Sequence, residues 1–242
     1  MCPPTRADDA LASRRLVAVS GKPEVVPQRV ADLLAGGADA ASTIAFTFTE
    51  RAAAELKAGI SARVEERLGA AALDRLGAAF VGTIHAYCFR LLQQYVPKYE
   101  TYDVLDERRL TASLCRVGRR LELQSLTGKQ FASIKTFLAN LDVVENELLE
   151  VERLAGPFGV MVSNFYDLLG EYRLLTHGQL VSRAVAELER PDVRSRVQVA
   201  LRYLIVDEYQ DVNPAQEPLI ELLTTGGQVE LCVVGDDDQA IY

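Results

Sequence analysis

The sequence predicts an α/β fold built on a parallel sheet, with a mostly helical insertion. In residues 1–93, and again in residues 191–242, short apolar segments typical of buried strands alternate with longer helical patterns. From residue 94 to residue 190 the strand signals disappear and helical patterns continue. We therefore expect one sheet domain in two parts, residues 1–93 and 191–242, interrupted by a helical insertion at residues 94–190.

Five segments have the composition of strands that are covered on both faces of a sheet. Each is apolar and only four to six residues long, as expected for central strands of a parallel sheet. In chain order these predicted strands are Leu16–Ser20, Thr43–Phe48, Phe80–Ile84, Tyr203–Val206 and Leu231–Val234.

A long helix is predicted directly after the second strand. The segment TERAAAELKAGISARVEERL begins at Thr49, a residue type that caps helices by accepting a backbone hydrogen bond. Four aliphatic residues then recur at four-residue spacing, which places them on one stripe of the helix: Leu56, Ile60, Val64 and Leu68. In the insertion, RRLTASLCRVGRRLELQSL and FYDLLGEYRLL show helical patterns as well.

The composition is that of a soluble globular protein, with 49% hydrophobic and 25% charged residues. No apolar run approaches the ~20 residues of a membrane span, and the N-terminal segment lacks the apolar core of a signal peptide. The four cysteines have no metal-ligand spacing and are read as free thiols in a reducing compartment. We therefore expect a cytoplasmic protein with no membrane partner.

Charge is distributed unevenly along the chain. The net charge of −8 argues mildly against bulk electrostatic binding to nucleic acid. However, the segment from Arg108 to Lys135 contains seven basic residues and one acid, whereas residues 201–242 contain nine acids and one basic residue. The basic segment could contact phosphates, although a charge run is commonly just a solvated face.

Two carboxylates, Asp207 and Glu208, directly follow the predicted strand Tyr203–Val206 in YLIVDEYQDVNPAQE. In a parallel α/β sheet the carboxyl ends of the strands line the ligand crevice. An aspartate there can hold Mg²⁺, and an adjacent glutamate can orient or deprotonate the attacking water in phosphoryl transfer. By itself the pair is equally well interpreted as a solvated acidic loop. The segment LCVVGDDDQAIY repeats the order of strand, glycine, acids and glutamine.

These two segments resemble motifs II and III of superfamily 1A DNA helicases of the UvrD/Rep/PcrA type. AFTFTERAAAELKAGI resembles motif Ia of that family, and VGTIHAYCFRLL resembles its next DNA-contacting motif. The four motifs occur in family order and spacing, and the resemblance covers roughly Arg15 to Tyr242. It implies a RecA-like P-loop NTPase sheet in which the helical insertion is a 1B-like subdomain.

The resemblance implies ATP and Mg²⁺ as cofactors and gives individual residues roles at the nucleotide. Asp207 would bind Mg²⁺, and Glu208 would be the catalytic base for ATP hydrolysis. Gln239 would sense the γ-phosphate and couple it to DNA. Gly21 and Lys22 stand at the place of the phosphate-binding loop.

The resemblance also implies single-stranded DNA, or a junction of single and double strands, as the partner. The residues that match DNA-contacting positions are Phe48, Thr49, Thr83 and His85. A base stacked on an aromatic ring such as that of Phe48 gains ~1–3 kcal/mol whatever its sequence. The alternatives are a core role for Phe48 and a structural role for His85. Ile84 stands where the family usually has phenylalanine, so a ring contact from that position is lost.

The phosphate-binding loop departs from the pattern GxxxxGK[ST], whose backbone N–H groups cradle phosphates and whose hydroxyl binds Mg²⁺. Leu16 stands where the first glycine is expected, and Pro23 stands where the hydroxyl is expected. Proline also removes a backbone donor. We therefore expect weak or absent nucleotide binding.

These observations predict the N-terminal ATP- and DNA-binding portion of a UvrD-like 3′-to-5′ DNA helicase. In that family a second RecA-like domain supplies the other wall of the ATP site, and this sequence stops at Tyr242, inside motif III. We therefore expect the chain to be inactive by itself. Two alternatives stay open: a non-catalytic DNA-binding or interaction module that kept the fold, and a degenerate gene fragment. An intact phosphate loop would favour the enzyme, and the altered loop favours the module.

Overall fold

A computed structural model describes residues 24–154 and 156–235, together with the backbone of residues 16–20. The strands in these ranges are β1 (Leu16–Ser20), β2 (Thr43–Thr47), β3 (Phe80–Thr83), β4 (Asp103–Val104), β5 (Leu174–Leu175), β6 (Tyr203–Val206) and β7 (Glu230–Gly235). The helices are α1 (Val25–Ala35), α2 (Glu50–Leu68), α3 (Ala71–Leu76), α4 (Ile84–Tyr95), α5 (Glu107–Val117), α6 (Gln130–Asn146), α7 (Gly156–Glu171), α8 (His177–Glu189), α9 (Pro191–Ala200) and α10 (Gln216–Thr224). Short 3₁₀ helices lie at Ala40–Ser42, Pro97–Tyr99, Leu123–Leu126, Val151–Arg153 and Tyr209–Asp211.

Five strands form one parallel sheet in the order β1-β7-β6-β2-β3. Every pairing is parallel: Phe46 of β2 is opposite Val206 of β6, and Val206 is opposite Val233 of β7. On the other side of β2, Thr47 is opposite Thr83 of β3. The predicted α/β class with a parallel sheet is confirmed, and all five predicted strands are present. Two end one residue earlier than predicted, at Thr47 and Thr83, because the chain turns there into helix N-termini.

The described chain divides into two compact units. Among the described residues, unit 1 contains the chain up to Tyr87 and the ranges 188–212 and 220–235, and unit 2 contains the ranges 88–187 and 213–219. No helix in the described part of the chain is long and apolar enough to cross a membrane.

The core of unit 1 lies between the sheet and helices α1 and α2. The predicted stripe of α2 is buried there, since Leu56, Ile60 and Val64 are 8% exposed or less. Leu68, the last residue of the helix, packs against the same cluster but is only partly buried. As predicted, Thr49 caps α2: its hydroxyl oxygen accepts a hydrogen bond from the backbone N–H of Ala52 at 3.1 Å.

Unit 2 has its own core, contributed by helices α5, α6 and α7. Phe137 of α6 and Phe165 of α7 are fully buried and meet edge to face with their ring centroids 5.5 Å apart. This unit is mostly helical, but it contains a two-stranded parallel sheet of β4 and β5 that the sequence does not predict. Arg173, with φ of 54°, lies between the end of α7 and Leu174–Leu175, which continue as a strand.

Candidate functional site

The carboxyl ends of the sheet strands bring most of the predicted site residues to one edge of unit 1. Because β2, β3, β6 and β7 are parallel, the residues that follow them all lie at this edge. Phe48 and Thr49 follow β2, His85 lies in the first turn of α4 after β3, and Asp207 and Glu208 follow β6. In open parallel α/β sheets this is the edge where ligands bind.

Asp207 prolongs the pairing of β6 with β2 by one residue, since its backbone N–H donates to the carbonyl of Phe46 at 3.0 Å. The side chain is half-buried at the end of the strand. Burial raises the pKa of this carboxyl group, and the negative charge of Glu208 raises it further, while a hydrogen bond from the Glu208 backbone N–H lowers it. A carboxylate with this raised pKa is stabilised by a nearby cation.

Glu208 adopts the left-handed region, with φ of 51° and ψ of 47°. Its side chain is exposed, and its Oε2 accepts a hydrogen bond from the Nε2 of Gln210 at 2.5 Å. A non-glycine residue in this region is uncommon and costs on the order of 1 kcal/mol. Four non-glycine residues in the described part of the chain have a positive φ. Glu208 is the one among them that directly follows a strand of the five-stranded sheet.

Gln210 and Gly235 bring the two acidic segments into contact, and sequence reasoning missed both residues. A Cβ atom built on Gly235, the last residue of β7, would lie 2.7 Å from the Oε1 of Gln210. Only glycine leaves room for the amide that holds the Glu208 carboxylate. The glutamine of DEYQD and the glycine of VVGDDD were visible in the sequence, but nothing in their spacing predicts that they touch.

The β2 and β3 ends carry the residues that match DNA-contacting positions. Phe48 and His85 are half-buried, and Thr49 is exposed, with its hydroxyl capping α2. Thr83 is only 5% exposed, and its hydroxyl is engaged within the fold. It donates to the Oε1 of Glu50 at 3.1 Å and accepts from the backbone N–H of Ala86 at 3.2 Å. The Thr83 hydroxyl therefore holds the β3–α4 turn in place.

An aromatic cluster supports this part of the edge from inside unit 1. The ring of Tyr87 lies 5.2 Å from the ring centroids of both Phe46 and Phe80. Since Phe46 belongs to β2 and Tyr87 to α4, the cluster fixes the first turn of α4, which carries His85, against the sheet.

The donor set at this edge fits Mg²⁺ held together with a phosphate. The described residues include no group of three or more histidine, cysteine or acidic side chains that could hold a metal ion by themselves. Asp207 and Glu208 offer carboxylate oxygens, and Mg²⁺ is commonly bound by one or two carboxylates with substrate phosphates and waters. Gly21, Lys22 and Gln239 lie outside the described residues.

A parallel sheet with an acidic pair at its carboxyl edge, together with a mostly helical second unit, defines the class as an open α/β protein. The sequence model of the UvrD/REP helicase N-terminal domain matches residues 17–242. The chain therefore belongs to the family of UvrD/REP helicase N-terminal domains.

Three similar proteins support this assignment to the family. The chain is 32% identical over 236 residues to the ATP-dependent DNA helicase PcrA of Bacillus subtilis, covering 92% of this chain and 30% of the relative. It is 32% identical over 250 residues to the ATP-dependent DNA helicase UvrD1 of Mycobacterium tuberculosis, with the same coverage. Against PcrA of Staphylococcus aureus the identity is 28% over 239 residues, again with 92% and 30% coverage. The chain spans about 30% of the length of these relatives.

Proposed function

We propose that this chain is the N-terminal ATP- and DNA-binding portion of a UvrD-like 3′-to-5′ DNA helicase. The observation that carries the proposal is the common edge of one parallel sheet, where the acidic pair and the residues of two DNA-motif segments meet. The family and the names of the relatives, which are ATP-dependent DNA helicases, support it.

At the nucleotide, Asp207 is proposed as the Mg²⁺ ligand. Its half-buried carboxylate has a raised pKa, so a cation placed against it relieves an unfavourable negative charge. When bound, Mg²⁺ would neutralise charge on the β- and γ-phosphates of ATP.

Glu208 is proposed as the base that orients and deprotonates the attacking water. The side chain is exposed at the sheet edge, and Gln210 holds one of its oxygens, which leaves the other oxygen able to accept a proton from water. Gln239 is proposed as the γ-phosphate sensor, and Gly21 and Lys22 as the remainder of the phosphate-binding loop.

We expect the affinity for ATP to be low, because Pro23 supplies neither the hydroxyl nor the backbone donor of an ordinary phosphate-binding loop. A second RecA-like domain is proposed to complete the ATP site. Residues 94–190 are proposed to be the 1B-like insertion.

DNA contact is proposed at Phe48, Thr49, Thr83 and His85, with single-stranded DNA or a single–double strand junction as the partner. Phe48 and His85 are half-buried ring side chains at the sheet edge, where a base could stack on the accessible part of each ring. Because the Thr83 hydroxyl is engaged in the β3–α4 turn, its contribution would be to position His85.

The nucleotide proposal is tested by titrating the chain with a fluorescent ATP analogue in the presence of Mg²⁺. We expect binding weaker than the micromolar range, further reduced by Lys22→Ala and Asp207→Asn. The matched control is Glu217→Gln, which removes an exposed carboxylate from α10. Micromolar binding that Lys22→Ala abolishes would show that the altered loop is competent. Binding that neither substitution changes would refute the proposed site.

The DNA proposal is tested separately with a labelled single-stranded oligonucleotide at low and moderate salt. Phe48→Ala and His85→Ala are each expected to weaken binding, whereas Val199→Ala, at an exposed apolar position of α9, should not. If both edge variants bind as tightly as the parent chain, the carboxyl edge is not the DNA site.

A further inference from the structure

Glu50 is an exposed acid at the sheet edge for which DNA contact is proposed. It is the first residue of α2 and directly follows Phe48 and Thr49. A carboxylate repels the phosphates of a bound strand. An acid at this position therefore opposes DNA binding by its charge, and any favourable contribution has to come from its contacts within the fold.

The Glu50 carboxylate joins the turn after β2 to the turn after β3. Its Oε1 accepts a hydrogen bond from the Thr83 hydroxyl at 3.1 Å, and the two residues are 33 positions apart in the chain. The pairing of β2 with β3 ends just before this point, at Thr47 opposite Thr83. The Glu50–Thr83 bond therefore continues the connection between the two segments beyond the strand ends, where Phe48 and His85 follow.

Thr83 uses its hydroxyl both as a donor and as an acceptor. Its oxygen accepts from the backbone N–H of Ala86 at 3.2 Å, in the first turn of α4, while its hydrogen is donated to Glu50. Hydrogen bonds in such a chain polarise and strengthen one another. The series from Ala86 through Thr83 to Glu50 thus fixes the turn that contains His85 relative to the start of α2.

The start of α2 is itself held in place. The Thr49 hydroxyl accepts from the backbone N–H of Ala52 at 3.1 Å, and an acid in the first turn of a helix is favoured by the helix dipole. The adjacent cation Arg51 pairs with Glu55 at 2.9 Å. Glu50 is therefore a fixed acceptor for Thr83.

We propose that Glu50 is a positioning residue for DNA binding, which holds the Phe48 and His85 segments together through Thr83. The inference rests on the proposed DNA contacts at these two residues. It adds that the two rings are presented as one unit, so that less conformational freedom is lost when a strand binds.

The test compares two substitutions of Glu50 by the fluorescence anisotropy of a labelled single-stranded oligonucleotide with the full chain. Glu50→Gln removes the negative charge but keeps an oxygen that can accept from Thr83, and it should bind at least as tightly as the parent. Glu50→Ala removes the charge and the acceptor, and it should bind about fivefold more weakly, the effect of one hydrogen bond. Repulsion alone predicts the opposite sign, because the loss of an acid beside phosphates strengthens binding.

A double substitution tests whether Glu50 acts through Thr83. Thr83→Val removes the hydroxyl and keeps the shape of the side chain. If the effect of Glu50 passes through this hydroxyl, Glu50→Ala should cause no further weakening in the Thr83→Val background. Further weakening there would refute the proposed route.

Hydrogen exchange of the Ala86 amide provides a readout without DNA. Exchange should be about threefold faster in Glu50→Ala, because the Thr83 hydroxyl that accepts from this amide is no longer held, and it should keep the parent rate in Glu50→Gln. Equal exchange rates in the parent and both variants would refute the coupling of the two turns.

The matched control is Glu65→Ala, which removes an exposed acid near the other end of α2 and should bind like the parent. Unchanged circular dichroism would show that each variant keeps the fold. The inference alone is refuted if Phe48→Ala and His85→Ala weaken binding while Glu50→Ala binds as tightly as the parent or more tightly. It is also refuted if Glu50→Gln weakens binding as much as Glu50→Ala. A parent chain that does not bind the oligonucleotide refutes the proposed DNA contacts and this inference with them.

Discussion

Gly235 and Gln210 are the two residues on which the geometry of the acidic pair depends. A methyl group at position 235 would displace the Gln210 amide and so break its hydrogen bond to Glu208. Since the displaced atom is the far end of a flexible side chain, we expect Gly235→Ala to lower the free energy of unfolding by less than about 1 kcal/mol. Urea denaturation measures this. A loss of several kcal/mol would mean that the backbone, rather than the Gln210 side chain, has to move.

Glu145 lies near the end of α6, and its buried carboxyl group contacts the residues at the N-terminus of α8. Its Oε1 accepts hydrogen bonds from the hydroxyl groups of Thr176 at 2.5 Å and Tyr166 at 3.0 Å, and it is only 7% exposed. Burial raises its pKa from an ordinary value of 4.5 to about 7, opposed by the Thr176 and Tyr166 hydrogen bonds. The Asp142 carboxylate adds a smaller upward contribution to this pKa.

The raised pKa of Glu145 predicts a loss of stability as pH rises. Below pH 4.5 the group is protonated in both the folded and the unfolded chain, so burial costs little. Between pH 4.5 and about 7 the carboxyl group loses its proton in the unfolded chain but keeps it in the folded chain, so the loss of folding free energy grows to on the order of 3 kcal/mol.

Glu145→Gln, which places a neutral group of the same shape there, should remove this pH dependence of stability. The measurement is the difference in unfolding free energy between parent and variant from pH 4.5 to 7.5. A difference that does not change with pH would contradict the prediction.

Among the elements, α2 shows how far sequence patterns determine local structure. Its cap at Thr49 and its buried stripe were both predicted, because hydrogen-bonding side chains and helical periodicity act within a few residues of each other. By contrast, the helical pattern predicted across RRLTASLCRVGRRLELQSL ends at Val117. Gly118 ends the helix there, and Glu122 turns the chain with φ of 54° into a short 3₁₀ helix.

The α2 cap makes a quantitative prediction at this scale. Thr49→Ala should lower the free energy of unfolding by about 1 kcal/mol, because the Ala52 N–H loses its acceptor. Thr49→Ser keeps the hydroxyl oxygen and should cost much less. Urea denaturation of the three proteins provides the comparison, and equal stability of the alanine and serine variants would rule out a capping contribution.

For the whole molecule, units 1 and 2 have separate cores, so we expect a core mutation in one unit to destabilise that unit and to leave the other unit stable. Phe137 is fully buried in unit 2, and Phe137→Ala is expected to cost about 3–5 kcal/mol there. Amide hydrogen exchange should then accelerate in α6 and α7 while β2 and β6 keep their protection. Equal acceleration in both units would show that they unfold as one.

The sequence by itself determined the fold class, the five sheet strands, the helix after β2 and the family. These follow from short-range patterns: apolar runs, helical periodicity, a capping residue and motifs whose members are close along the chain. Of the site, the sequence placed Asp207 and Glu208 directly after one strand and Phe48 at the end of another, and the parallel pairing of those strands set them at one edge.

Only the tertiary structure decided the contacts between segments distant along the chain. The fit of Gln210 against Gly235, the two-residue strands β4 and β5, and the hydrogen bond from Gln130 to Cys115 are of this kind. The physical reason is that each contact depends on packing between elements, which leaves no periodic mark in the local sequence of either partner.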